Sequence, residues 1–220
     1  ELSIINNKTY KCEIEFTKFD IEKHQIIESF KLIFNIINKY QNIVKIVNKN
    51  FNKKFKSLYY PINKPINFKK HHIRLLKDYV YFDKIDGIRY FLIQSDIGTY
   101  LINTNHYIQI DEKNNPFSII DVELYNDKIY AFDILFNKNI NIINLDFIKR
   151  YEQIPNLNFD NFTYNILEYK NDFQNIQIND NCDGIIFTPI NQIYNNKFTY
   201  KYKPFELLTI DFLYKNKSLY

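Results

Sequence analysis

The stretch that decides the fold is Tyr79-Val80-Tyr81-Phe82-Asp83-Lys84-Ile85-Asp86-Gly87-Ile88-Arg89. An apolar run, read as a strand, ends in an Asp-Gly pair that predicts a tight turn, with a lysine and an arginine on either side. This presents an amine at a strand end, where a nucleophile can meet a substrate. The chain has only 3 glycines in 220 residues, so each is expected where the backbone needs freedom. Two of them form matching Asp-Gly pairs, Asp86-Gly87 and Asp183-Gly184, each followed by apolar residues.

Outward from that stretch, short strands are predicted at Tyr90 to Gln94, Thr99 to Ile102, Tyr107 to Ile110, Ile119 to Tyr125 and Lys128 to Leu135. Brief polar turns such as Asn126-Asp127 argue for antiparallel pairing. Strands resume at Gly184 to Thr188, Thr199 to Tyr202 and Leu207 to Leu213. Helices are expected at Phe68 to Lys77, Asn141 to Gln153 and, with weaker patterning, Phe162 to Ile176. The first 17 residues read as two strands with a turn near Asn6-Asn7. From Ile21 to Ile46 the apolar positions Ile26, Ile27, Phe30, Ile33, Phe34, Ile37 and Val44 recur at near-helical spacing, predicting a packed face along a long helix. The prolines at Pro61 and Pro65 then mark a boundary. The class is α+β, dominated by antiparallel sheet.

An apolar content of 45% supports a substantial core, and no apolar run reaches the ~18 residues of a membrane span. Cys12 and Cys182 have no Cys-x-x-Cys partner, which fits buried thiols in a reducing compartment. His24, His71, His72 and His106 lack zinc-like spacing and read as surface or helix-face residues. The net charge of +4 concentrates before Lys84, at Lys53, Lys54, Lys56, Lys69, Lys70, His71, His72, Arg74 and Lys77, a patch able to attract phosphate or RNA or simply to face solvent. No methionine occurs, from which the chain is expected to be part of a longer polypeptide.

The spacing Lys84-x-Asp86-Gly87-x-Arg89 resembles the nucleotidyl-lysine motif of the covalent nucleotidyltransferases, the superfamily of ATP-dependent ligases and mRNA-capping guanylyltransferases. Four further segments carry the likeness in order. Ile119-Ile120-Asp121-Val122-Glu123-Leu124 is similar to the family's Asp-Gly-Glu strand, with Val122 in place of glycine. Tyr130-Ala131-Phe132-Asp133 resembles the strand whose aromatic ring covers the purine. Cys182-Asp183-Gly184-Ile185-Ile186-Phe187 resembles the acidic-Gly motif. Tyr200-Lys201-Tyr202-Lys203-Pro204 places two lysines on one strand face. The run to Thr209-Ile210-Asp211-Phe212, with the proline-bearing lead-in from Tyr60 to Pro65, resembles capping guanylyltransferases in particular.

The resemblance implies a nucleotidyltransferase (ATP-grasp-like ligase and capping enzyme) domain over 60–220, of antiparallel sheets with flanking helices, the family's OB-fold domain having no counterpart before Tyr220. It implies Lys84, Arg89, Lys201 and Lys203 as catalytic, Phe132, Glu123, Asp183 and Ile85 as nucleotide-binding, and Glu123 and Asp183 as holders of Mg2+ or Mn2+. GTP is the implied substrate, 5'-diphosphate RNA the acceptor, and a downstream OB-fold and cap methyltransferase the partners. As in the large viral or cytoplasmic-plasmid multifunctional capping proteins, residues 1–20 would close a preceding RNA triphosphatase domain, with Glu13 and Glu15 as metal ligands, and 21–59 would connect the two. The setting would be cytoplasmic, a viral factory or virion for a viral protein, or nuclear for a cellular one. Two other readings stand beside this: a ligase forming lysyl-AMP, and an inactive RNA-binding scaffold. Lys149 and Lys170 are the candidates for reading the guanine edge.

Overall fold

A computed structural model describes residues 2–6, 9–12, 23–51, 64–103, 106–179, 182–194, 198–208, 214–215 and 218–219. Two short strands, β1 (Leu2–Asn6) and β2 (Thr9–Cys12), pair antiparallel and precede helix α1 (Lys23–Phe51). Then come β3 (Ile66–Asn67), a 3-10 helix (Lys70–Asp78), β4 (Tyr79–Ile85), β5 (Ile88–Ser95), β6 (Gly98–Ile102), β7 (Tyr107–Asp111), β8 (Ser118–Tyr125), β9 (Lys128–Asn137) and β10 (Ile140–Asn141). After them lie α2 (Phe147–Tyr151), β11 (Thr163–Ile166), β12 (Cys182–Pro189), β13 (Tyr200–Tyr202), a 3-10 turn (Phe205–Leu207), β14 (Tyr214–Lys215) and β15 (Ser218–Leu219).

Two sheets carry the architecture. The larger runs β10-β9-β8-β5-β6-β7, antiparallel throughout, with β11 added parallel to β9. The smaller runs β3-β13-β12-β4. The Asp86-Gly87 link therefore joins two sheets: β4 ends in the smaller one, β5 begins in the larger one, and a cleft opens between them. Glycine is required at position 87 because a Cβ there would lie 2.5 Å from the carbonyl oxygen of Leu124 in β8. The Asn126-Asp127 turn between β8 and β9 has φ of 47° and 58°, the primed geometry that matches strand twist.

Each sheet alternates its faces in the way a period of two demands. On the larger sheet one face buries Phe91, Ile93, Tyr100 and Ile102, and the other buries Tyr90, Leu92, Leu101 and Ile120. The smaller sheet buries Tyr79, Tyr81, Ile185, Phe187 and Tyr200 on the side away from the cleft.

Several expectations need correction. Among the described side chains of helix α1, the fully buried ones lie in its C-terminal half, where Tyr40, Ile43 and Val47 join the larger sheet's core. Ile27, Phe30 and Phe34 are exposed, at 45%, 53% and 64%, so the apolar periodicity runs past the surface that receives it. The helix expected over Phe162 to Ile176 is instead β11, because β9 offers a free edge for parallel pairing and the segment's tyrosines and isoleucines suit a strand. The helix expected over Asn141 to Gln153 shortens to α2, its start taken by β10. His72 is buried, not a surface residue: its ring stacks on Tyr200 at 4.0 Å and its Nδ1 accepts the Lys69 backbone N–H at 3.0 Å. Leu207, where a strand was expected to begin, instead ends a 3-10 turn (Phe205–Leu207), and the rest of that strand from Thr209, together with Glu13, Glu15 and Lys53 to Lys56, lies outside the described residues. Cys182 is a buried free thiol.

Candidate active site

The cleft between the sheets has a volume of about 290 Å³. Lys84, Ile85, Arg89, Glu123, Phe132 and Lys201 all line it. These residues come from five strands and two sheets, and the sheet junction at Asp86-Gly87 helps to bring them together.

Lys84 sits near the end of β4, with Gly184 of β12 opposite it. Gly184 has φ +145°, a conformation L side chains rarely adopt, and a Cβ there would overlap the carbonyl oxygen of Tyr202. That close approach lets Asp183 and the β13 lysine strand converge on Lys84. Lys84 Nζ donates to Asp183 Oδ2 at 2.6 Å, and Lys203 pairs with Oδ1 of the same carboxylate. Burial would raise the Asp183 carboxyl, but the hydrogen bonds and charges of Lys203 and Lys84 outweigh it and hold it below the ordinary carboxylate range. Lys201, opposite Ile186 in register, faces the cleft and is exposed to solvent.

The other wall belongs to the larger sheet. Arg89 and Glu123 are register partners across β5 and β8. Glu123 Oε1 accepts the Gly87 backbone N–H at 3.2 Å. Burial raises the Glu123 carboxyl above its ordinary value even though that bond, Lys84 and Arg89 pull it down. The Arg89 guanidinium lies over the Phe132 ring at 5.2 Å, a cation–π distance, and grips Asp121 through Nε at 2.8 Å and through Nη2.

Sequence reasoning passed over the groups beneath this wall. Asp121 is wholly buried and also accepts the Tyr194 hydroxyl at 2.7 Å. Its register partner in β9, Asp133, forms a fork-to-fork pair with Arg150 of α2 at 2.9 and 2.8 Å. Burial pushes the Asp133 carboxyl up to about 6 despite Arg150. The signal that could have found them is the pair of aspartates inside otherwise apolar strands, since a buried carboxylate needs a cation nearby.

Of the two candidates for reading a base edge, neither lines the cleft. Lys170 binds both oxygens of Asp83, and Lys149 is exposed beside Asp146. The exposed cations Lys69, Lys70, His71, Arg74 and Lys77 ride on the 3-10 helix, whose Leu76 and neighbouring Phe68 pack on the sheet face away from the cleft. Among the described residues no three of His, Cys, Asp and Glu group as a metal site, and no helix is long and apolar enough to cross a membrane.

Comparison with known proteins adds one finding. The chain is 31% identical over 196 residues to a Kluyveromyces lactis protein named uncharacterized killer plasmid pGKl-2 protein 3. The match covers 83% of this chain and 30% of that relative's length. No family model matches the chain.

Proposed function

We propose that the chain is the nucleotidyltransferase domain of an mRNA guanylyltransferase. Lys84 Nζ attacks the α-phosphorus of GTP, the bond from that phosphorus to the bridging oxygen breaks, and pyrophosphate leaves. The amine proton departs as the phosphorus–nitrogen bond forms, and Asp183 is the carboxylate within its reach. The terminal phosphate oxygen of 5'-diphosphate RNA then attacks the lysyl-GMP phosphorus, forming the cap as the phosphorus–nitrogen bond breaks, and the nitrogen takes back the proton held at Asp183, returning Lys84 as an amine.

The observation that carries this reading is the convergence on Lys84 of Asp183, Lys203 and a cleft that also holds Arg89, Phe132 and Lys201. The cations supply preorganised stabilisation for charge developing on phosphoryl oxygens. Phe132 offers a ring face for a purine, and Ile85 and Ile186 offer apolar cleft surface. Mg2+ is commonly held by one or two carboxylates together with substrate phosphates, and Asp183 and Glu123 supply that number; the ion, or Mn2+, would polarise the phosphates. Glu13 and Glu15 as triphosphatase ligands, a following OB-fold and methyltransferase, and a cytoplasmic setting remain part of this proposal. The similarity to a killer-plasmid protein is in keeping with it.

Separate incubation with α-labelled GTP and α-labelled ATP, followed by denaturing electrophoresis, tests the reading. Label retained from GTP in an acid-labile, alkali-stable bond at Lys84 is the expected result. Label from ATP alone would move the chain to the ligases, and label from neither would remove the covalent mechanism.

A further inference from the structure

Arg89 reaches the cleft from the larger sheet and Lys84 from the smaller one, so the distance between them depends on what locks the two sheets together. The loop following β12 does this. β12 belongs to the smaller sheet, yet its continuation docks on the flank of the larger one. There Ile148 N–H donates to the Ile190 carbonyl at 3.4 Å, Arg150 Nη1 to the Gln192 carbonyl at 3.1 Å, and Tyr194 N–H to the Ile143 carbonyl at 2.9 Å. The Tyr194 ring lies against the Arg150 guanidinium at 5.6 Å, and its hydroxyl reaches Asp121, the carboxylate that grips Arg89.

We propose that Asp121 and Tyr194 are positioning residues that fix the Arg89 guanidinium against Phe132 at the cleft floor, Tyr194 carrying this contact across from the loop after β12. This rests on the nucleotidyltransferase reading for its substrate, a nucleoside triphosphate. The Asp121 carboxylate has no exposure, so it needs the Arg89 charge and the Tyr194 hydroxyl together to offset its desolvation. Arg89 is 25% exposed on its side chain, which leaves its guanidinium reachable from the cleft while its bidentate grip fixes the plane. Burial opposes the arginine's charge, but Asp121 overcomes this and holds Arg89 above its ordinary range. The tyrosine proton is likewise held: burial and the neighbouring Asp121 push its pKa well up, so Tyr194 stays a donor.

Tyr194→Phe keeps the ring and removes only the hydroxyl. It is expected to raise the GTP concentration that half-saturates lysyl-nucleotide formation about 10-fold, as loss of one hydrogen bond to a charged group does, with little change at saturation. Placed in an Arg89→Ala background, the same substitution should add nothing, because its effect runs through the arginine. Full additivity of the two changes, or no effect of Tyr194→Phe alone, would overturn the proposal. A second readout does not need activity: the Arg89 Nε–H resonance should exchange slowly with water in the unmodified chain and rapidly in Tyr194→Phe. If neither GTP nor ATP labels the chain, the catalytic reading fails and this exchange alone decides, unchanged protection counting against the positioning role.

Discussion

The two walls of the cleft carry the same kinds of side chain, aspartates facing lysine or arginine, in opposite settings. On the larger sheet the Arg150 and Asp133 side chains are 2% and 9% exposed and Asp121 is fully buried, each pair held by two parallel hydrogen bonds. On the smaller sheet Lys84, Lys203 and Asp183 remain 25%, 26% and 18% exposed, and one carboxylate is shared between two ammonium groups. The difference is one of exchangeability. A buried fork cannot trade its partner without a large desolvation cost, whereas lysines at a wetted carboxylate can turn to a phosphate when one arrives. In the proposed reaction, one wall is built before the substrate binds and the other is completed by it.

That contrast can be broken in order of expected effect. Lys84→Ala should lower nucleotide labelling at least ~1,000-fold, because no other group forms the phosphorus–nitrogen bond, while the melting temperature stays close to that of the unmodified chain. Arg150→Ala strands a buried carboxylate and should cost about 3–5 kcal/mol in denaturant unfolding, since removing one partner of a buried pair exposes the full desolvation penalty. Asp183→Asn, on the wetted wall, should cost about 1 kcal/mol or less in the same measurement but still suppress labelling. A stability loss for Asp183→Asn as large as that for Arg150→Ala would erase the distinction between the walls.

The walls should also titrate with opposite sign. Asp133 ionises near 6 in the folded chain against an ordinary 3.8. A raised folded value means stability is fully present below the ordinary value and lost as pH rises toward 6, a loss of roughly 3 kcal/mol for a shift of about two units. Asp183 is depressed, so its contribution is present above the ordinary carboxylate value and lost as pH falls through its lowered one. Thermal unfolding from pH 3 to 7 should therefore lose its decline toward pH 6 in Asp133→Asn and its acid-side drop in Asp183→Asn. The smallest expected effect is Lys201→Ala, which leaves stability within about 0.5 kcal/mol because the side chain is exposed, and weakens triphosphate binding.

Much of this was legible from local pattern. The short apolar runs in β5, β6, β8 and β9, bounded by polar turns, and the Asn126-Asp127 turn follow from strand-favouring residues and from residues that tolerate positive φ. The helix period marked α1 but not how far along it the larger sheet extends. Nor did it separate β11 from a helix, because apolar residues in Phe162 to Ile176 suit either period and the free edge of β9 settled the matter.

The order of short motifs along the chain, through their resemblance to those of the covalent nucleotidyltransferases, set out Lys84, Arg89, Glu123, Phe132, Asp183, Lys201 and Lys203 as candidates. Tertiary structure alone decided that Asp86-Gly87 passes from one sheet to another, so that Lys84 and Arg89 face each other across a cleft. It also decided that Tyr194 and Arg150 reach beneath that cleft to two strand aspartates. The physical reason is that a buried charge is neutralised by whatever lies near it in space, and here the hydroxyl that reaches Asp121 is 73 residues away along the chain.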